Sequence, residues 1–357
     1  MTDLLRTQGL SKAYDGNAAL RDVSMSIARN EYISLLGPSG SGKTVLLRLI
    51  AGFEQPDSGS LEFDGKDLGG VSPHKRGIGF VFQNFALFPH LTVQDNIAFG
   101  LASRVENPVT DAAELRRRVG RAVELVGLAG LEQRGVHQIS GGQRQRVALA
   151  RTLVTEPRLV LLDEPLGALD ANLRMRMRGE LRRIRSELGV TFLHVTGSET
   201  EALAMGDRII VLGDGRIRQF DVPDTVYNKP ASPDVARALN CYNFFSGRIA
   251  GDRFATDIQT FAIAAPRVAS AVPAYAIRQD LIGIKPEAAG VAAGEAGVRA
   301  LYLASEYTGA AYMYFFKTAD GRIVEVENHL SHREAESLDP GTSYMLAWKA
   351  ADGLVFG

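Results

Sequence analysis

Short runs of consecutive apolar residues punctuate the first two thirds of the chain, and each is bounded by glycine, proline or charged residues. Such runs are typical of strands that are buried on both faces of a parallel sheet. They predict four such strands: EYISLLG at 31–37, IGFVFQ at 78–83, RLVLLDEP at 158–165 and VTFLHVT at 190–196. After the first strand and a glycine-rich turn, VLLRLIAG predicts a helix that ends at Gly52.

The pattern changes twice along the chain. From about Asn84 to Gln138 it has helical periodicity, with LRRRVGRAVELVGL as an amphipathic stretch, which predicts a helical subdomain over 84–138. RIIVLGDGRIRQF at 208–220 predicts a hairpin that turns at Gly213-Asp214-Gly215. Beyond residues 232–243 short β-type segments with turn residues predict a small barrel or sandwich. We therefore expect two domains, residues 1–235 and 236–357.

Composition and charge limit which partners and which cellular compartment we expect for the chain. The 357 residues carry 40 basic and 41 acidic side chains, a net charge of -1, which gives no general attraction to nucleic acid. The single cysteine, Cys241, has no internal disulfide partner, so we expect a reducing compartment. No apolar run reaches the length of a signal peptide or of a membrane-spanning helix. These features predict a soluble cytoplasmic chain that acts at a membrane only through a partner.

A phosphate-binding loop follows the first predicted strand. Gly37-Pro38-Ser39-Gly40-Ser41-Gly42-Lys43-Thr44 matches G-x-x-x-x-G-K-[ST] and lies between a strand and a helix, as the mechanism requires. Glycines let backbone N–H groups approach phosphate, and the helix N-terminus adds partial positive charge. We expect Lys43 to reach the β- and γ-phosphates of a nucleotide and Thr44 to ligate Mg²⁺. An ordinary glycine-rich turn is the much weaker interpretation.

Two carboxylates lie at the end of the apolar run in the predicted strand at 158–165. The carboxyl ends of parallel strands open onto the ligand crevice of such a sheet, so Asp163 and Glu164 are expected there. Asp163 suits the Mg²⁺ shell, and Glu164 suits activation or orientation of the attacking water. A solvated strand end would explain the pair equally well if the phosphate loop were absent.

Ile139-Ser140-Gly141-Gly142-Gln143-Arg144-Gln145-Arg146 resembles the signature motif of ABC ATPases, and it lies between the two phosphate-site motifs as in that family. The resemblance implies an α/β P-loop NTPase domain that uses ATP and Mg²⁺. It also implies that Ser140, Gly141, Gly142 and Gln143 close on the nucleotide of the opposite subunit. Locally, a serine-capped helix after a turn fits the same residues.

The same resemblance implies roles for three further positions or segments. Tyr14 is placed to stack on adenine, with a half-buried strand aromatic as the alternative. Gln83 resembles the glutamine that touches Mg²⁺ or the attacking water, and Asn84–His90 would contact the membrane partner. Gly167-Ala168-Leu169-Asp170 resembles the loop that crosses the dimer interface.

One motif departs from the family pattern. Where the family has V-T-H-D-Q-x-E-A-L, this chain reads VTGSETEAL at 195–203, so Gly197 occupies the position of the switch histidine. His194 lies three residues earlier, and because strand side chains alternate faces we expect it to point into packing instead. We therefore expect either that hydrolysis is slow or that another group, or a water, takes the place of the missing histidine side chain.

The last third resembles the TOBE-type domains of ABC import ATPases, small OB-like barrels that pair in the dimer. The residues that carry the resemblance are Leu281–Glu287, Glu306–Ala310 and Leu346-Ala347-Trp348, with Trp348 expected in the core. NCYNFFSG at 240–247 resembles ATPases of polyamine, ferric-iron and phosphonate importers more than those of sugar importers.

Together these features predict the ATP-hydrolysing subunit of a solute importer. The resemblance implies a homodimer at the cytoplasmic side of a bacterial inner membrane, with permease subunits and indirectly a solute-binding protein as partners, and no nucleic acid. A soluble ABC ATPase acting on DNA or ribosomes is one alternative. The arginine-rich run from Arg174 to Arg185 is its one candidate patch, but with Glu180 and Glu187 interleaved it is predicted to be a solvated helix face. A regulatory nucleotide-binding protein with weak hydrolysis is the other alternative, suggested by Gly197.

Overall fold

The protein is described here from a computed structural model, which covers residues 3–103, 107–167, 169–263, 267–268, 272–331 and 334–357. The chain divides into two compact units, residues 1–228 and 229–357. Ala168, in the segment expected to cross a dimer interface, lies outside the described residues. In the described part of the chain, no helix combines the length and the apolar character needed to cross a membrane.

The first unit is an α/β assembly. Its strands are β1 Asp3–Tyr14, β2 Asn17–Ala28, β3 Tyr32–Leu36, β4 Ser58–Phe63, β5 Lys66–Asp67, β6 Ile78–Val81, β7 Leu159–Asp163, β8 Thr191–Thr196, β9 Arg208–Gly213 and β10 Arg216–Asp221. Its helices are α1 Lys43–Ala51, α2 Val93–Ala102, α3 Ala112–Leu125, α4 Gly141–Leu153, α5 Ala171–Leu188, α6 Glu199–Met205 and α7 Pro223–Asn228.

A six-stranded sheet in the order β10-β9-β3-β8-β7-β6 carries the four predicted strands. Neighbouring strands from β9 to β6 run parallel, and β10 pairs antiparallel with β9. Every residue of β3 and β8 is buried, as their mostly apolar runs predict. The prediction for 78–83 is wrong in extent: β6 stops at Val81 and is only partly buried, because it is the edge strand.

The predicted hairpin is confirmed between β9 and β10. Asp214 and Gly215 both adopt left-handed backbone conformations, with φ of 49° and 71°. Two consecutive left-handed residues are what a tight two-residue hairpin turn requires, and Asp-Gly is a preferred pair for it.

An antiparallel sheet in the order β2-β1-β4-β5 was not predicted from the pattern. The pairing of β1 with β2 shifts register several times, so its apolar positions do not keep a simple alternation. Leucines of this sheet, of α1 and of β3, β7, β8 and β9 share one buried core. That core holds α1, and with it the phosphate loop, against both sheets.

The helical subdomain is built from α2 and α3 packed with α4. The amphipathic stretch becomes α3, which buries Val119, Ala122 and Val123 and is capped by the side chain of Asp111. The helical pattern expected from Asn84 begins only at Val93, after the cap Thr92. Residues 84–92 form turns instead.

The second unit is almost entirely β, which confirms the predicted class of the last third. It begins with α8 Pro233–Ala238 and continues with β11 Tyr242–Ser246, β12 Arg248–Ala250, β13 Arg253–Ala255, β14 Thr260–Ala262, β15 Arg267–Val268, β16 Ala274–Arg278, β17 Gly283–Pro286, β18 Glu295–Tyr307, β19 Ala311–Thr318, β20 Ile323–His329, β21 Ser343–Lys349 and β22 Leu354–Phe356. These strands form three sheets, β11-β16-β22-β15, β12-β13-β14 and β17-β21-β18-β19-β20.

Trp348 lies in the core of this unit, as expected. It is 2% exposed, and its indole N–H donates to the Tyr275 hydroxyl at 2.7 Å. The division at residue 228 precedes the expected boundary at 235 because α8 buries Val235 and Ala236 and packs against β16 of the second unit.

Candidate functional site

The phosphate loop joins the buried strand β3 to the N-terminus of α1. Gly40 and Gly42 have φ of 79° and 100°, which only glycine adopts without strain. A Cβ on Gly42 would lie 2.5 Å from the Ala19 carbonyl oxygen, so β2 packs directly on the loop. The buried Ser41 hydroxyl has no hydrogen-bond partner within the described residues. An unpartnered buried hydroxyl in an N–H-lined loop fits a phosphate group.

Lys43 is held inside this loop. Its ammonium donates to the carbonyl oxygens of Gly37 at 2.7 Å and Pro38 at 2.9 Å, while Pro38, Ser39 and Gly40 are exposed. Burial lowers the pKa of Lys43, and the charges of Glu164 and Asp163 act in the opposite sense. The two carboxylates therefore lie close enough to the ammonium to influence its protonation.

Asp163 and Glu164 stand at the carboxyl end of β7. The Thr44 hydroxyl donates to Asp163 at 3.2 Å, and burial raises the pKa of that carboxyl group. The side-chain amide of Gln83 donates to Glu164 at 3.0 Å. The structure thus brings Thr44, Gln83, Asp163 and Glu164 together, as the motifs predict.

The backbone of Glu164 is left-handed, with φ of 45°, and its N–H donates to the Val195 carbonyl at 3.1 Å. Non-glycine residues in this region are strained by about 1–2 kcal/mol, and such strain concentrates at functional sites. No feature of the sequence indicated this conformation.

The residues at this edge also fit a Mg²⁺ ion. Mg²⁺ prefers hydroxyl, carboxylate and amide oxygens together with phosphate and water, and Thr44, Asp163 and Gln83 supply such groups. Within the described ranges no cluster of three His, Cys, Asp or Glu side chains forms an all-protein metal site.

The Ser140–Gln143 motif opens α4. The Ser140 hydroxyl accepts from the N–H of Gln143, and the Gln143 side chain accepts from the N–H of Ser140 at 2.8 Å, a reciprocal cap. A Cβ on Gly142 would lie 2.4 Å from the Leu173 side chain, which explains the glycine. Among the described contacts of this chain, no hydrogen bond joins Ser140–Gln143 to the phosphate loop.

Tyr14 ends β1 and is 42% exposed, so its ring is open to a ligand. Its hydroxyl contacts Glu54, and burial together with that contact raises its pKa to about 12. The β1–β2 hairpin that carries it also packs on the loop through Ala19.

Gly197 follows β8 and faces open space, since a Cβ built on it would meet no atom within 4 Å. His194 is fully buried as expected, with its Nδ1 atom 2.9 Å from the Tyr32 hydroxyl. Burial lowers the pKa of His194 to about 3. His194 therefore does not replace the missing histidine.

A buried ionic link beside Gly197 was missed by the sequence analysis. Glu201, 3% exposed, accepts from the Thr196 hydroxyl at 2.7 Å and lies 3.3 Å from Arg174. Arg174 also donates to the carbonyls of Leu166 and Leu169. Arg174 is therefore a half-buried member of the predicted solvated face, on which Arg183 pairs with Glu180 and Glu187. The sequence did not indicate the Arg174–Glu201 ion pair because the two residues are far apart along the chain.

Comparison with known proteins gives the family of this chain. The family model of the ABC transporter matches residues 20–167, and that of the TOBE domain matches residues 282–356. The chain is 41% identical to the spermidine/putrescine import ATP-binding protein PotA of Rubrobacter xylanophilus, over 99% of this chain and 93% of the relative. This chain belongs to the ABC transporter family. It is an ABC ATPase that carries a TOBE domain.

Two further matches define the similarity. The chain is 42% identical to the sulfate/thiosulfate import ATP-binding protein CysA of Caulobacter vibrioides, over 91% of this chain and 92% of the relative. A dimeric ATP-binding cassette in a post-hydrolysis state, bound to ADP and Pi, is 31% identical with a TM-score of 0.56. That match covers 61% of this chain and 98% of the cassette.

Proposed function

We propose that this ABC ATPase binds and hydrolyses ATP with Mg²⁺ as the motor subunit of a solute importer. The observation that carries the proposal is the meeting of the phosphate loop with Asp163, Glu164 and Gln83 at one edge of the sheet. Its full-length similarity to import ATP-binding proteins supports the direction of transport.

The side chains divide the chemistry between them. Lys43 and the loop N–H groups bind the phosphates, and Thr44 and Asp163 hold Mg²⁺, which neutralises charge on the phosphates when bound. Glu164, oriented by Gln83, accepts a hydrogen bond from the attacking water and favours its approach to the γ-phosphorus. Breaking the bond to the β-phosphate oxygen then releases ADP and phosphate. Tyr14 stacks on the adenine.

The working form is proposed to be a homodimer. Ser140, Gly141, Gly142 and Gln143 would then cover the nucleotide held at Lys43 of the partner, with the N–H groups at the start of α4 facing its phosphates. Gly167-Ala168-Leu169-Asp170 would lie at the same interface. The matching dimeric cassette supports this arrangement.

Permease subunits are proposed to contact the surface around residues 84–90. Phe53, Phe82 and Phe99 are 47%, 39% and 42% exposed, and Phe53 stacks on Phe82 while Phe99 packs on Phe88. Exposed aromatic groups of this kind mark protein contacts. The dimer would sit peripherally at the cytoplasmic side of the inner membrane, with a solute-binding protein acting through the permease.

For the solute we propose a polyamine. The match to a spermidine/putrescine import protein spans nearly the whole chain, and NCYNFFSG at 240–247 agrees with that subgroup. The comparable match to a sulfate/thiosulfate import protein makes sulfate the competing solute, and ferric iron and phosphonate are further members of the predicted subgroup.

The test uses the chain assembled with its permease subunits in vesicles that contain ATP. We expect ATP-dependent movement of labelled spermidine or putrescine and none of sulfate. Lys43→Ala should abolish this movement together with ATP affinity measured by calorimetry, because the ammonium supplies charge-assisted contacts to phosphate. Unchanged ATP affinity in that variant would sink the nucleotide-site assignment, and sulfate movement alone would replace the polyamine assignment.

A further inference from the structure

The turn that follows Gln83 contains two consecutive strained residues. Phe85 and Ala86 both have left-handed backbones, with φ of 61° and 46°. Neither side chain favours this region, and a strained pair persists only where the surroundings hold it. We call residues 83–92 the Gln83 loop.

Arg151, on α4, is what holds that pair. Its two terminal nitrogens donate to the carbonyl oxygens of Ala86 at 2.7 Å and Phe85 at 2.8 Å. Its guanidinium carbon also lies 5.7 Å from the centre of the Phe88 ring. Three residues of the Gln83 loop therefore meet one planar side chain, whose fork binds two acceptors at once.

The far end of the Gln83 loop is anchored separately. Asn96, fully buried on α2, accepts from the Phe88 N–H at 2.9 Å and donates to the Phe88 and Thr92 carbonyls at 3.1 and 2.9 Å. At the strained end, Phe85 packs on the core to which α4 contributes, and Arg151 supplies the hydrogen bonds between α4 and the loop backbone.

The helix α4 carries two features at a fixed separation. It begins at the Ser140–Gln143 motif, and Arg151 lies ten residues beyond Gly141, about 15 Å along the axis. A continuous helix of this length moves as one body. A shift of the motif against a nucleotide would therefore shift the carbonyls of Phe85 and Ala86.

We infer that Arg151 is a positioning residue that couples the Ser140–Gln143 motif to the conformation of the Gln83 loop. The inference rests on the proposed function, in which the motif meets ATP and the loop meets the permease. The contacts described for Arg151 are with Phe85, Ala86 and Phe88, and we assign it no contact with the reacting atoms. It transmits the position of α4 to the turn at Phe85 and Ala86, whose strained backbone favours a change of conformation.

Hydrogen exchange of the full chain tests this coupling directly. The N–H groups of Phe85, Ala86, Phe88 and Leu91 each have an acceptor within the structure, so their exchange reports the shape of the loop. Exchange over 83–92 is measured with and without ATP and Mg²⁺, in the Glu164→Gln background that retains ATP. Calorimetry gives the ATP affinity of every variant.

We expect Arg151→Met to bind ATP within about twofold of its parent but to lose the ATP-dependent change over 83–92. Without ATP its loop should exchange about tenfold faster, because two charge-assisted hydrogen bonds are lost. Arg121→Met on α3 is the matched control, since Arg121 is exposed and has no ion pair among the described residues. It should behave as the parent.

Three results would overturn the inference: an unchanged ATP response in Arg151→Met, the same loss in Arg121→Met, or no response to bound ATP in the parent. The proposed function survives all three, whereas a parent that binds no ATP overturns both. If Arg151→Met does not fold, Arg151→Lys decides. Lysine keeps the charge but not the planar fork. A full parental response to ATP in Arg151→Lys therefore contradicts the inferred role of Arg151, and a weakened response supports it.

Discussion

Gly197 stands where the resemblance to ABC ATPases predicts a histidine, and the structure leaves room for a side chain there. We expect Gly197→His to raise kcat by up to about 10²-fold with little change in ATP affinity. A polar group that acts mainly in the transition state changes kcat more than ground-state binding. Steady-state ATPase with the permease subunits present is the measurement.

Replacing residues 197–199 with His-Asp-Gln is the better variant, because Ser198 caps α6 and aspartate serves equally as a cap. Gly197→Ala is the control, since it fills the same space without a polar group. If the unmodified chain already turns over at about 1–10 s⁻¹ and no variant is faster, another group does the work of the histidine.

His194 makes a second prediction at this scale, concerning pH. Its pKa is about 3 in the fold against 6.5 when exposed, so the unfolded chain binds the proton first as pH falls. Stability is therefore complete above pH 6.5 and is lost between pH 6.5 and 3, by about 2 kcal/mol at pH 5. Tyr32, Glu201 and Arg178 are the polar groups that face the ring.

Urea unfolding at pH 7.5 and pH 5 measures this loss. In His194→Asn the difference between the two pH values should shrink by about that amount, whatever the variant costs at pH 7.5. An equal difference in both proteins would show that carboxyl groups, rather than His194, set the acid limit.

At the scale of elements, the helix behind the phosphate loop depends on one arginine. Arg76, 5% exposed, donates to the carbonyls of Leu49 and Ile50 at the end of α1 and to those of Leu68 and Val71. Arg76→Met removes the donor that these four carbonyls share; Leu49 and Leu68 keep a backbone donor, but Ile50 and Val71 lose the donor described for them. The substitution should lower the free energy of unfolding by about 3 kcal/mol. Arg48 lies on α1 itself but is half exposed. Arg48→Met should lower the free energy of unfolding by less than about 0.5 kcal/mol in the same chemical denaturation.

What the sequence could predict at this scale is whatever lies in one short stretch. The strand, loop and helix around Lys43 are contiguous, so spacing alone specified them, and the structure places them as expected. The contacts of Arg76 with α1, of Arg151 with the Gln83 loop and of Arg174 with Glu201 join residues 26 to 66 positions apart, and no local pattern reveals such contacts. The left-handed conformations of Phe85 and Glu164 likewise depend on tertiary neighbours, because neither residue type favours them.

At the scale of the whole molecule, the proposed dimer yields a prediction about assembly. Glu164→Gln should bind ATP but not hydrolyse it, so the chain should become a stable dimer with ATP and Mg²⁺. Light scattering should then show twice the mass of the chain. The control is the same variant with Ser140→Arg, which places a bulky charge at the expected contact and should remain a monomer. A single mutant that stays monomeric with ATP bound contradicts the head-to-tail arrangement.

The strained backbone at Glu164 affects which substitutions accumulate in such a chain when selection for transport is absent. Glycine at 164 relieves about 1 kcal/mol of left-handed strain and abolishes the group that orients the water. In a lineage no longer selected for transport, substitutions at this position are favoured by folding alone. A library sorted only for heat resistance should therefore enrich glycine or asparagine at 164, and with them inactive motors.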